Sequence, residues 1–300
     1  MDTNFHEKSY SRHQQSYRVE AEQPAANYRN WFLSDNADFW RHRRKLQFID
    51  PLLEKNKGKS WLCIGDGRFG TSSMYIDWKG GSATATDITG TLLKKSLEEQ
   101  LIQRMDVQNA EAITYADDSF DYVFCKEAYH HFPRPFIGMY EMLRVSRNAV
   151  VLIEPRDIAL SPLPLTWYRQ LKNMVKRALK RPVYDLDYYN YEEVGNYVYS
   201  VAEREFEKLA LGLNLPAVAF RTFDDVYFPG VEQERATSEF PLFRKIQREL
   251  KRLRLLRLIG LHSSNYLVVV VFKQQPDEEL VRELEKNDYR VRKLPRNPHC

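Results

Sequence analysis

The feature that most constrains this chain is a short apolar run, Ser60 to Gly65 (SWLCIG), which stops abruptly at glycines and is followed by more such runs at helix-length intervals. A strand that is apolar on both faces has to be covered on both, which points to a parallel sheet between helical layers. The pattern predicts a helix over Gly70–Trp78, a strand over Ser82–Asp87 (SATATD) and a helix over Leu92–Ile102. A short strand near Met105–Val107, the strand Asp121–Lys126 (DYVFCK), a helix over Pro135–Val145 and the strand Ala149–Pro155 (AVVLIEP) follow. Alternation at this spacing predicts βαβ units and a doubly wound sheet.

The alternation breaks over 156–199, where Pro162, Pro164 and Pro182 interrupt a basic stretch. It resumes with a helix introduced by Ser200, whose spacing to Glu203 fits a capping box, and ends with strands over Ala217–Phe223 and Asn265–Phe272. The expected organisation is therefore an N-terminal arm and helix (1–58), a core (59–155), a lid (156–199), the rest of the sheet with an inserted basic helix (200–275) and a tail (276–300). Residues 1 to about 30 show no steady period and read as a flexible or substrate-covering arm.

Composition narrows the class. A chain of 300 residues, 43% apolar and 29% charged, is long enough to bury a core and too apolar to be disordered throughout. Its net charge of +4 does not by itself argue for nucleic acid. Cys63 and Cys125 lie inside apolar runs and Cys300 ends the chain, so no disulfide framework is expected. The first residues are polar, and the longest apolar run, Tyr266–Phe272, is too short to cross a bilayer, so a cytoplasmic protein is expected.

The loop after the first strand reads IGDGRFG, placing Gly65, Gly67 and Gly70 where the chain must turn and admit a ligand to the backbone. Asp87, 22 positions after Gly65, falls at the end of the second strand, where a carboxylate can accept both hydroxyl hydrogens of a ribose. A nicotinamide dinucleotide site has the same signature, and a turn that merely needs glycines has half of it.

The segment NAEAITYADDSFDYVFCKEAYHHFPRP, followed by EMLRVSRNAVVLIEP, separates these readings. Ala110-Glu111-Ala112-Ile113, then Asp118-Ser119-Phe120-Asp121 and an apolar strand, resembles in order and spacing the class I S-adenosylmethionine-dependent methyltransferases, in particular a small-molecule type with an Asp-x-Ser-Phe-Asp turn. His130-His131-Phe132 resembles the family's continuation. The resemblance spans Ser60 to Pro155. It implies an α/β fold, a Rossmann-like doubly wound seven-stranded sheet, mostly parallel with an antiparallel last strand, with the helical lid and basic helix as insertions.

Carried over by position, the resemblance implies S-adenosyl-L-methionine as cofactor. Ile64, Gly65, Asp66 and Gly67 would pack against its methionine part, Asp87 would take the ribose and Ile88 the adenine face. Asn109, Ala110 and Glu111 form the turn that would hold the adenine amino group, and Lys126 and Glu127 fall beside the amino-acid end and the sulfonium. Cys63 stands where the family often has an acid and Phe69 where it often has a third glycine, with Gly70 one step later. No metal is implied.

Methyl transfer from a sulfonium is an in-line displacement, for which alignment contributes roughly 7–11 kcal/mol, against the ~10²–10⁴-fold of one general base. If the acceptor is a hydroxyl, His130 and His131 are the candidate bases; each can equally cap the next helix or pack in the core. Glu127 and Asp157 are weaker candidates.

The lid joins the basic stretch TWYRQLKNMVKRALKR to Tyr184, Tyr188, Tyr189, Tyr191, Tyr197 and Tyr199, which suit a sugar, an aromatic or another polar organic acceptor, or simply pack the lid. The segment Phe240–Leu258 carries seven bases against the single acid Glu249, which fits an anionic membrane surface, a phosphorylated partner or a solvated edge helix. The reading is a methyltransferase acting on a small-molecule or glycan acceptor, at oxygen. RNA or protein is the alternative acceptor, disfavoured for nucleic acid because CKEAYHHF stands where an Asn-Pro-Pro-Tyr motif would. An NAD-dependent oxidoreductase would need a Tyr-x-x-x-Lys pair, and a scaffold without activity would be expected to lose Gly65, Gly67 or Asp87.

Overall fold

The computed structural model describes residues 4–20, 35–157, 163–180, 191 and 196–299. Its centre is an eight-stranded sheet in the order β3-β2-β1-β4-β5-β7-β6-β8. The strands are β1 (Ser60–Ile64), β2 (Ser82–Asp87), β3 (Met105–Val107), β4 (Phe120–Lys126), β5 (Ser146–Pro155), β6 (Ala217–Phe223), β7 (Tyr266–Phe272) and β8 (Arg290–Lys293). The first five pair in parallel, and β7 runs antiparallel between β5 and β6. Beyond the seven expected strands, β8 pairs antiparallel with β6. Its sequence, RVRK, shows only one apolar residue because it is a short edge strand, and edges are commonly guarded by charge.

The helices are α1 (Phe5–Glu20), α2 (Ala37–Leu46), α3 (Asp50–Lys55), α4 (Thr71–Trp78), α5 (Thr91–Glu98), α6 (Pro135–Val145), α7 (Leu163–Ala178), α8 (Glu203–Gly212), α9 (Pro241–Leu258) and α10 (Glu278–Lys286). Alternate strand residues go to opposite layers, as the period of two requires. Trp61 and Cys63, Tyr122 and Phe124, and Val268 and Val270 pack with Leu46, Leu52, Ile76, Leu280 and Leu284 of the helices on one face. Leu62 and Ile64, Val123 and Cys125, and Val269 and Val271 pack with Met139, Met142, Phe206 and Ala210 on the other.

Local chemistry sets the helix starts. Asn36 caps α2, its Oδ1 accepting from the amides of Asp38 and Phe39. Asp277 caps α10 in the same way through Leu280 N. Helix α8 begins two residues later than the Ser200–Glu203 box implies: Ala202 occupies the cap and Glu205, not Glu203, accepts the cap amide. Side-chain reach to the backbone, rather than the Ser-x-x-Glu spelling, decides that register.

Residues 5–20, expected as an arm without regular structure, form α1. The helix has no strong apolar stripe of its own and is held by contacts from Tyr10 to Glu111 and from Gln14 to the carbonyl of Ile88. Those contacts lay it across the carboxyl ends of the strands. Tyr184, Tyr188 and Tyr189 of the expected lid lie outside the described residues.

Trp61 is fully buried and stacks on Tyr122, with ring centroids 4.5 Å apart. Trp61→Ala should cost about 3–5 kcal/mol of stability, the range for removing a buried large aromatic side chain. A urea-unfolding shift of less than about 1 kcal/mol would contradict this packing.

Candidate active site

Strands β2 and β3 lie on one side of β1, and β4 and β5 on the other, so the winding reverses between β1 and β4. A crevice at the carboxyl ends of the strands is expected at such a switch point. Gly65 sits there at φ +68°, and a Cβ on it would lie 2.2 Å from the Cβ of Ala128. A Cβ on Gly67 would come within 2.4 Å of the Asp87 carboxylate. These two glycines let the loop close tightly on Ala128 and Asp87, where any side chain would collide, and leave the backbone of this cradle bare. Gly70, also left-handed, is packed closely in the same way, since its Cβ would strike Ile102.

Asp87 lines the cradle at the end of β2 and is buried. Its Oδ1 accepts from Thr89 N at 3.1 Å, and it has no ion pair with a described cation. Burial first, and the charge of Asp66 second, push its pKa up to about 7. The Asp66 carboxylate is committed elsewhere: it accepts from Ser72 N, Ser73 N and Ser73 Oγ, pinning the start of α4. Burial raises its pKa too. What Asp66 offers a ligand is therefore main chain. Ile64 is buried among the core residues beneath the loop.

Helix α1 lies over the residues expected at the adenine end. Ile88 is half-buried beside Asp87, its carbonyl accepting from Gln14 Nε2 at 3.3 Å. Asn109 Oδ1 accepts from Glu111 N at 2.9 Å, which shapes the turn through half-buried Ala110. Glu111 accepts from Arg134 N and Nε and from Tyr10 OH, at 2.6–2.7 Å. Its carboxylate thus joins α1 to the turn before α6.

Past β4, Glu127 adopts φ +53°, unusual for a non-glycine residue. Its carboxylate accepts from Lys45 Nζ and Tyr266 OH at 2.6 Å and from Lys126 Nζ at 2.9 Å. Burial opposes ionisation, but Lys126, Lys45 and His42 outweigh it and hold the Glu127 carboxyl well below its ordinary range. His42 is driven the other way by burial and by Lys126, so it is neutral near pH 7. Lys45, only 1% exposed, also reaches Asp225, which is bound by Arg41. Glu127 is an ionised anchor here, poorly suited to taking up a proton.

The two candidate bases have different settings. His130 Nδ1 lies 2.5 Å from Oε2 of Glu154, a fully buried carboxylate whose Oε1 accepts from the amides of Ala128 and Tyr129. The ring of His131 is 3.9 Å from that of His130 and 6.0 Å from that of His13 on α1. Asp157, at the end of the sheet, bonds through its amide to Val201 O.

Sequence reasoning passed over Glu154, Lys45, Tyr266, Asp225 and Tyr10. Glu154 had a signal, being the one carboxylate inside an otherwise apolar strand. The others lie far along the chain from the groups they hold and carry no local pattern.

Residues 62–153 match the family model described as a methyltransferase domain. Among curated proteins none matches the chain by sequence. Solved structures similar to it include the YcgJ protein of Bacillus subtilis, 16% identical, covering 78% of this chain and 100% of that one at a TM-score of 0.49. A methyltransferase of Archaeoglobus fulgidus is 15% identical over 78% and 94% of the two chains, TM-score 0.48. Magnesium protoporphyrin IX methyltransferase of Synechocystis is 13% identical over 78% and 84%, TM-score 0.46.

The matched domain runs from β1 to β5, so this part of the chain carries a methyltransferase domain built around the crevice. The residues present fit S-adenosylmethionine: the bare glycine backbone abuts Asp87, a desolvated carboxylate with no partner among the described cations.

The raised pKa of Asp87 has a sign that can be tested. An unfolded Asp titrates near ~3.9, so between about pH 4 and 7 the folded apo-protein binds a proton that the unfolded chain does not. Apo stability therefore falls as pH rises through that window and levels off above it. Asp87→Asn should raise apo stability at pH 8 by up to a few kcal/mol, an order-of-magnitude value from the shift. Ribose hydroxyls donate to the ionised form, so wild-type affinity for S-adenosylmethionine should climb with pH up to about 7, with proton release on binding at lower pH. Calorimetry in two buffers of different ionisation enthalpy reads both, and a pH-independent affinity would remove Asp87 from this role.

Proposed function

We propose that the chain methylates a hydroxyl oxygen of a small-molecule or glycan acceptor, with alignment supplying most of the acceleration and His130 receiving the proton. The observation that carries this reading is the His130–Glu154 pair. Nδ1 held against a buried carboxylate fixes the ring and its tautomer, the arrangement that turns Nε2 into an acceptor. His130 lies two residues after Ala128, whose amide donates to Glu154 and whose Cβ abuts Gly65 at the floor of the cradle.

S-adenosylmethionine, when bound, supplies an electrophilic methyl group on a sulfonium. Gly65, Gly67, Asp87 and the Asn109–Ala110 turn would hold it, and the main chain at Lys126–Glu127 would border its amino-acid end. Helix α1, fastened at Glu111 and at Ile88 O, keeps water from the adenosine end. Glu127, locked by Lys45, Lys126 and Tyr266, holds the backbone turn that presents the amides of Ala128 and Tyr129 to Glu154. His130 then accepts the hydroxyl proton, and Glu154 stabilises the imidazolium that results.

Aromatic groups support a sugar or aromatic acceptor. Tyr199 N bonds to His130 O at 3.1 Å, and the rings of Tyr199, Tyr197 and Tyr191 follow edge to face, at 5.0 and 5.7 Å. Such a row offers flat apolar faces and hydroxyls together.

With an acceptor drawn from a screen of sugars and small hydroxy compounds, His130→Gln should lower kcat by ~10²–10⁴-fold. Calorimetric affinity for S-adenosylmethionine should stay unchanged, and the acidic limb of the pH–rate profile should disappear. A variant that keeps wild-type kcat and profile would contradict the assignment of the base.

A further inference from the structure

Helix α7 faces the wrong way for an ordinary surface helix. Placed at 100° per residue, Trp167, Tyr168, Leu171, Met174 and Val175 form one continuous arc, which Leu179 extends just past the helix. In a globular protein that arc would face the core. Here Trp167 is 72% exposed, Met174 65% and Leu171 61%, while the partly covered positions are Thr166, Asn173 and Lys176 on the opposite arc. Among the described side chains, the polar arc of the helix is the more covered and the apolar arc the more exposed.

Its charge is one-signed. Residues 163–180 contain no acid, and Lys172, Arg177 and Lys180 stand exposed on the polar arc, beside the apolar one. The end of α9 continues the surface: a Cβ on Gly260, just past that helix, would lie 3.6 Å from Pro164 at the start of α7. Leu255, Leu258 and Ile259 are exposed there, among Arg252, Arg254 and Arg257. The earlier turns of α9 differ, because Phe243 and Ile246 are buried against Ala37 and Val231. The candidate membrane or phosphate-binding element expected at Phe240–Leu258 therefore has most of its apolar side occupied by the protein, whereas the described apolar arc of α7 stands exposed.

We infer that α7, joined by the end of α9, docks the protein on an anionic lipid bilayer surface. An apolar stripe containing Trp, bordered by Lys and Arg and free of acids, is what lies stably in the interfacial plane of such a bilayer. No described helix is long and apolar enough to cross the membrane, so the attachment is peripheral. A second copy is a poorer occupant, since pairing two such surfaces would oppose like charge with almost no acid to offset it. Nucleic acid is poorer too, because phosphates gain nothing from an apolar arc at the centre of the contact. The surface lies on the segment that follows β5, near the strand ends where the acceptor enters.

The test uses the full chain and vesicles of phosphatidylcholine with or without phosphatidylserine. The protein should sediment with the phosphatidylserine vesicles at low salt and not with phosphatidylcholine alone. Trp167→Glu combined with Leu171→Glu should abolish sedimentation. Lys172→Gln with Arg177→Gln and Lys180→Gln should weaken it roughly a hundred-fold, each base near an anionic surface contributing about five-fold. All variants should keep wild-type affinity for S-adenosylmethionine and wild-type circular dichroism, because none touches the cradle. Absence of binding to phosphatidylserine vesicles, binding that survives the paired glutamates, or a dimer through this face without vesicle binding would each overturn the inference.

Discussion

The close approach of the β1 loop to the segment after β4 is the constraint on which the site depends. Gly65 and Ala128 are in contact, so the crevice between β1 and β4 is as narrow as two backbones allow. A methyl group added at Gly65 would push the strand ends apart and also force a side chain into a left-handed conformation. From that contact follow the positions of Gly67 against Asp87 on one side and of Glu154, Ala128 and His130 on the other.

Charge buried behind the crevice holds the second side in place. Lys45 brings α2 against the strand ends by bridging Glu127 and Asp225, and Arg41 completes the set through Asp225. Taking such charges from water is costly unless every one is paired and hydrogen-bonded. Each is, and Tyr266 OH fills a further lone pair of Glu127. The same bonds hold Glu127 at its positive φ, a conformation that persists only where its surroundings over-determine it. Specificity of geometry, rather than net stability, is what a network of this kind contributes.

The sequence revealed the parallel core well because strands covered on both faces are unbroken apolar runs. β2, β3 and β6 fall where the pattern puts them, and the glycine loop and Asp87 meet as their spacing implies. What escaped has physical reasons. Strand β8 is a charged edge, and α1 owes its place to polar contacts with Glu111 and Ile88 rather than to an apolar stripe. Besides its neighbour Lys126, Glu127 is held by partners 82 and 139 positions away, where no local spacing can announce them. Even α7, within the basic stretch expected as part of a lid, discloses its outward apolar arc only once the layers are assembled.

Cofactor choice is the claim on which everything above rests, because a glycine loop and a ribose carboxylate would serve a dinucleotide as well. Calorimetry on the purified chain with S-adenosylmethionine, its demethylated product and NAD tests it most directly. The account predicts saturable binding of both adenosyl compounds and none of NAD; binding of NAD with neither adenosyl compound would contradict it.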